Sequence, residues 1–89
     1  MQLRASHILV TSEAQAHDLL NQINEGADFA SLAQQNSSCP SSASGGDLGY
    51  FGPGMMVKAF EDAAISTQVG QVSAPVETQF GWHLVKRTA

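Results

Sequence analysis

The chain has 89 residues, four Lys and Arg against eight Asp and Glu for a formal charge of −4, and one cysteine. So short a chain builds one modest core and reads as a single domain over residues 1–89, while the acidic balance leaves no basic stripe for nucleic acid or an anionic membrane. A lone cysteine excludes an internal disulfide, no apolar run nears the roughly 20 residues that span a bilayer, and a first strand beginning almost at Met1 leaves no place for a secretory leader; the expectation is a cytoplasmic monomer.

From Leu3 to Val10 the residues alternate, with Leu3, Ala5, His7 and Leu9 on one side and Arg4, Ser6, Ile8 and Val10 on the other, which predicts a strand. Ser12 with Gln15 makes a capping-box pattern, and Ala16, Leu19, Leu20 and Ile23 follow at helical spacing until Gly26. Asp28 caps a second, shorter helix whose apolar stripe is Phe29, Leu32 and Ala33. "NSSCPSSASGGD" then ends all periodicity and predicts a long loop within the domain.

"DLGYF" reads as a short strand and "GPGMM" as a turn into a third helix with Val57, Phe60, Ala63 and Ala64 on one face. After Gly70, Val72, Ala74 and Val76 alternate with their neighbours, and Trp82 to Arg87 alternates again, predicting a terminal hairpin with Pro75 at a sheet edge. The order describes a small α+β domain, a mostly antiparallel sheet with helices on one or both faces.

Two histidines stand inside the best strand candidates, His7 in "RASHILV" and His83 in "GWHLVK". A buried neutral imidazole has one donor and one acceptor to satisfy, at about 1–3 kcal/mol for each left unpaired. If the first and last strands are neighbours the two rings can bond to each other and fix each other's tautomer. Trp82, opposite in phase to His83, is expected to pack under a helix, and His17 to be solvated.

Beside a purely structural pair, three chemical readings stay open. His7, His83 and Cys39 could bind zinc, although the spacing shows no local ligand pair and a fourth ligand, such as Asp47, is arbitrary. Cys39 could be a nucleophile activated by an imidazole, but "SSCPSS" offers no helix start after the cysteine to form an oxyanion hole. The third is a non-covalent site in which His7, His83, Cys39 and Thr78 surround a cavity walled by Leu48, Met56 and Phe60.

The series "SHILV", "GADFASLA", "GGDLGYF", "MMVKAFEDAA" and "GQVSAPVETQFGWHLVK" resembles the parvulin-type peptidyl-prolyl cis/trans isomerases, above all their minimal single-domain bacterial form. The resemblance covers about Ala5 to Arg87. It implies a four-stranded antiparallel sheet surrounded by helices, and an isomerase of X–Pro bonds that needs no cofactor and no metal. Its partners would be proline-containing peptides and unfolded proteins.

Carried over by position, it implies a polar catalytic set of His7, Cys39, Thr78 and His83. Leu48, Met56 and Phe60 would hold the proline ring, with Phe80 on the rim. Where some members have a basic loop that selects phosphorylated residues before proline, this chain has "TSEAQAHD", so no phosphate selection is expected. Ala59 and Val57 stand where some members have Pro and Gln, making that wall more apolar and suiting apolar residues before proline. The alternative reading is a peptide-holding chaperone module with little catalysis.

Overall fold

The structure, a computed structural model, describes residues 2–89. Strand β1 (Leu3–Val10) is followed by helices α1 (Glu13–Asn24) and α2 (Phe29–Asn36), a 3-10 turn at Pro40–Ser44, strand β2 (Asp47–Phe51), helix α3 (Lys58–Ser66) and strands β3 (Val76–Thr78) and β4 (Gly81–Arg87). All strand pairs are antiparallel, in the order β2-β1-β4-β3. This is the expected α+β fold, and it makes β1 and β4 central neighbours.

Local chemistry starts the helices where the sequence predicts. The Ser12 hydroxyl accepts the Gln15 N–H at 3.1 Å, and the Asp28 carboxylate accepts the Ser31 N–H at 3.0 Å. Each bond satisfies a donor that the first helical turn leaves unpaired.

Helices cover both faces of the sheet. Ala16 and Leu19 of α1 with Phe29 and Leu32 of α2 pack on Ile8, Val10 and Leu84, and Trp82 joins this cluster half-buried, as its phase predicts. On the other face Phe60 and Ala64 of α3 pack on Leu3, Ala5, Phe51 and Val85. The second face carries both histidines, because His7 pairs with Val85 and His83 with Leu9 in the ladder and alternate residues share a face.

The pairing of β1 with β2 slips by one residue: Arg4 faces Tyr50, whereas Ser6 faces Asp47. β2 thus carries an extra residue at Leu48–Gly49, and Gly49 has a φ of 71°, the left-handed conformation such a bulge favours. The bulge inverts the alternation. Leu48 and Phe51, three apart and on opposite faces in a regular strand, both pack against the α3 cluster.

Three expectations need correction. The segment from Val72 to Val76 is not one strand: Val72 makes an isolated bridge to Lys86, and β3 begins only at Val76. Pro75 has no N–H for the ladder, and the Ser73 hydroxyl, not a carbonyl, accepts the Val85 N–H at 3.1 Å. Val57 is not on the buried face of α3; it is the exposed N-cap, since the helix starts at Lys58. The long loop carries the 3-10 turn, which Pro40 opens at a position where no N–H is needed.

Candidate active site

His7 and His83 sit diagonally across β1 and β4, a separation that aromatic side chains can span. Their Nδ1 atoms are 3.0 Å apart, and the rings stack at 5.2 Å between centroids with 17° between planes. Both are buried, 5% and 4% exposed. Thr78 Oγ1 lies 2.7 Å from His83 Nε2, and Ser41 Oγ lies 3.2 Å from His7 Nε2. All four ring nitrogens are therefore engaged, and among the described residues no buried side-chain N or O lacks a partner.

Burial pushes the His7 pKa down to about 4, with repulsion from His83 adding to it, and burial lowers that of His83 as well. Desolvation penalises the charged form. At neutral pH the pair is thus an uncharged relay of hydrogen bonds.

Beside the pair opens a cavity of about 500 Å³. Leu48, Met56 and Phe60 wall it, Cys39 and the exposed Phe80 stand at its border, and His7 and His83 close its inner side. The Phe60 ring is nearly perpendicular to both imidazoles, at 5.5 Å and 84° from His7 and 5.4 Å and 80° from His83. A second concavity of about 570 Å³, between the end of α3 and the approach to β3, is lined by Ser66, Gln68, Gln71 and Ser73 and contains none of the expected residues. An apolar pocket with a few convergent polar groups is the better ligand site.

The fold thus brings seven of the eight expected residues to one cavity. The eighth, Thr78, does not line it but reaches it through two lining residues, His83 and the Phe80 N–H. Two chemical readings find little support in this geometry. Each imidazole nitrogen already has a partner other than Cys39, and no group of three or more His, Cys, Asp or Glu with metal-site geometry occurs among the described residues.

A family model described as the PPIC-type PPIase domain matches residues 1–89. The chain belongs to the parvulin, or PPIC-type peptidyl-prolyl isomerase, family. This parvulin domain is 56% identical over 87 residues to the foldase protein PrsA of Geobacillus sp. (strain WCH70), covering 97% of the chain and 32% of that protein. The parvulin NmPin of Nitrosopumilus maritimus superposes with a TM-score of 0.88 at 44% identity, covering 99% of this chain and 96% of that one. The crystal structure of PrsA from Bacillus anthracis gives 0.98 at 43% identity, covering 99% of this chain and 41% of that one. The chain spans about a third of the length of the curated relatives it matches.

Sequence reasoning missed Leu9, Ser38, Pro40 and Met55 of the cavity lining and, behind it, Ser41. Ser41, the partner of His7, is one of five serines in "SSCPSS" and its near neighbours, and no local pattern singles it out. Met55, 64% exposed, adds to the cavity mouth; an apolar residue at a turn was the available signal.

Proposed function

We propose that this domain accelerates rotation about X–Pro bonds in flexible or unfolded protein segments by a non-covalent route. Leu48, Met56 and Phe60 hold the pyrrolidine ring, Phe80 covers its rim, and Cys39, His7, His83 and, through His83, Thr78 tune the polarity around the preceding carbonyl. The carrying observation is an apolar cavity bordered by a fully hydrogen-bonded, uncharged histidine pair.

The chemistry follows from amide resonance. Twisting the C–N bond meets a barrier of about 18–20 kcal/mol, and uncatalysed X–Pro isomerisation takes tens to hundreds of seconds. The planar amide separates charge and is well solvated by water; the twisted one has a ketone-like carbonyl and a pyramidal nitrogen. A dry pocket therefore favours the twisted form, and each 1.36 kcal/mol or so of that preference gives about tenfold in rate. A strong fixed donor on the carbonyl oxygen would stabilise the planar form, so neutral imidazoles suit the task better than charged ones. Cys39 serves as a polar wall and not as a nucleophile.

Among the described residues no Lys or Arg borders the cavity, which supports unphosphorylated substrates. The net charge of −4 argues against nucleic acid as a partner. The single cysteine fits a reducing compartment, which supports action in the cytoplasm.

Exchange NMR on a short Ala-Pro peptide titrated with the protein tests this reading. Line broadening between the cis and trans signals, with shifts at Met56 and Phe60, is the expected result. Binding without faster exchange would leave only the peptide-holding alternative.

A further inference from the structure

The hydrogen-bonded chain through the imidazoles ends in a hydroxyl at each side, Thr78 beside His83 and Ser41 beside His7. Two neutral rings share two N–H hydrogens among four nitrogens, and the heavy-atom positions fit two arrangements. In the first, His7 Nδ1–H donates to His83, His83 Nε2–H donates to Thr78, and the bare His7 Nε2 accepts from the Ser41 hydroxyl. In the second every direction reverses, so that His7 Nε2–H donates to Ser41 and the Thr78 hydroxyl donates to His83. The Phe80 N–H donates to Thr78 Oγ1 at 3.2 Å in either case.

We infer that Ser41 is a positioning residue which, opposite Thr78, sets the tautomers of His7 and His83 and holds both rings against Phe60. Ser41 does not line the cavity; it reaches His7 from behind. Its backbone is tied to the same strand residue, because its carbonyl accepts the Gly46 N–H at 2.9 Å and the Gly46 carbonyl accepts the His7 N–H at 2.9 Å. Both imidazoles meet Phe60 edge to face, so a ring that swings off its hydroxyl alters the wall on which the proline rests. The effect on rate rests on the isomerase reading above; the effect on tautomers stands without it.

The test is side-chain ¹⁵N NMR of the histidines in the full chain for wild type, Ser41→Ala and Thr78→Val, with kcat and KM measured on one Ala-Pro peptide. A buried N–H without a partner is a worse orphan than a bare acceptor. Ser41→Ala should therefore shift His7 toward the Nδ1–H form, and Thr78→Val should shift His83 toward its own Nδ1–H form, opposite polarities of one chain. Ser41→Ala should lower kcat about tenfold, which corresponds to about 1.4 kcal/mol, with KM unchanged within about twofold. Ser41→Thr should restore both tautomer and rate. Should Ser41→Ala not fold, Ser41→Cys, with its weakly bonding thiol, makes the same comparison. Identical tautomers in wild type and both deletion variants, or a lower kcat with no change of tautomer, would overturn the inference. A wild-type protein that binds the peptide without accelerating it removes the isomerase reading, and the tautomer shifts alone then decide the role of Ser41.

Discussion

His7 and His83 bond to each other although neither faces the other in the ladder: His7 pairs with Val85, His83 with Leu9, and the 3.0 Å contact runs along the diagonal. Each imidazole satisfies one buried nitrogen of its partner. Removing one ring therefore strands the other.

His7→Ala and His83→Ala should each lower stability by more than the lost packing alone, since the unpaired nitrogen left behind adds about 1–3 kcal/mol. The double variant should cost less than the sum of the singles, with a coupling of about 0.5–3 kcal/mol. Urea titrations of the four proteins measure this. Strict additivity would mean that the diagonal bond contributes nothing.

The same pair sets a pH dependence of stability. Both folded-state pKa values lie below the usual 6.5, that of His7 at about 4, so the unfolded chain takes up protons that the folded one refuses. Stability is then complete above pH 6.5 and falls as the pH drops toward about 4. The lowered carboxyls of Asp28 and Asp47 lose their contribution only as the pH falls through the carboxylate range near 3.8 and below. Urea midpoints at pH 7.5 and 4.5 should differ, and His83→Phe should reduce the difference.

Two walls of the cavity should respond differently to truncation. Phe60 is 3% exposed and packs on Phe51 with centroids 6.1 Å apart, so Phe60→Ala should cost about 3–5 kcal/mol of stability along with activity. Met56 is only half-buried against the same cluster. Met56→Ala should keep the melting temperature near wild type while raising KM about tenfold, or about 1.4 kcal/mol of binding. Melting curves and peptide titrations separate the two effects.

Gly46 brings the loop against β1: its φ is 86°, and a Cβ there would lie 2.3 Å from the His7 carbonyl oxygen. Gly46→Ala should destabilise by at least about 2 kcal/mol, from left-handed strain plus the clash. Gly26→Ala has a φ of 106° but nothing within 4 Å, so it should cost the strain alone. Thermal melts of both, with the His7 amide shift as a local probe, make the comparison.

Much of this architecture was legible because its causes are local. Alternation in "LRASHILV" and "WHLVKR" placed the central strands, the Ser12 and Asp28 caps placed two helix starts, and two imidazoles in apolar strands announced a pair that must satisfy itself. The rest depends on groups distant in sequence. The bulge at Gly49 that turns Leu48 toward the cavity exists only against β1, and the Ser73 hydroxyl that displaces a ladder carbonyl needs Val85 opposite it. Ser41 is distinguished from its neighbouring serines solely by where the 3-10 turn sets it relative to His7. Apolar alternation through Val72 and Val76 suggested one strand; Pro75 marked a sheet edge but not that continuous pairing would begin only at Val76.

The imidazole contact joins residues 76 positions apart. Closing so long a loop costs entropy before any contact repays it, so a molecule whose β1 and β4 have not paired lacks the imidazole relay. Turnover thus reports that pairing: each opening of β1 from β4 extinguishes the site and hands both rings to solvent protons.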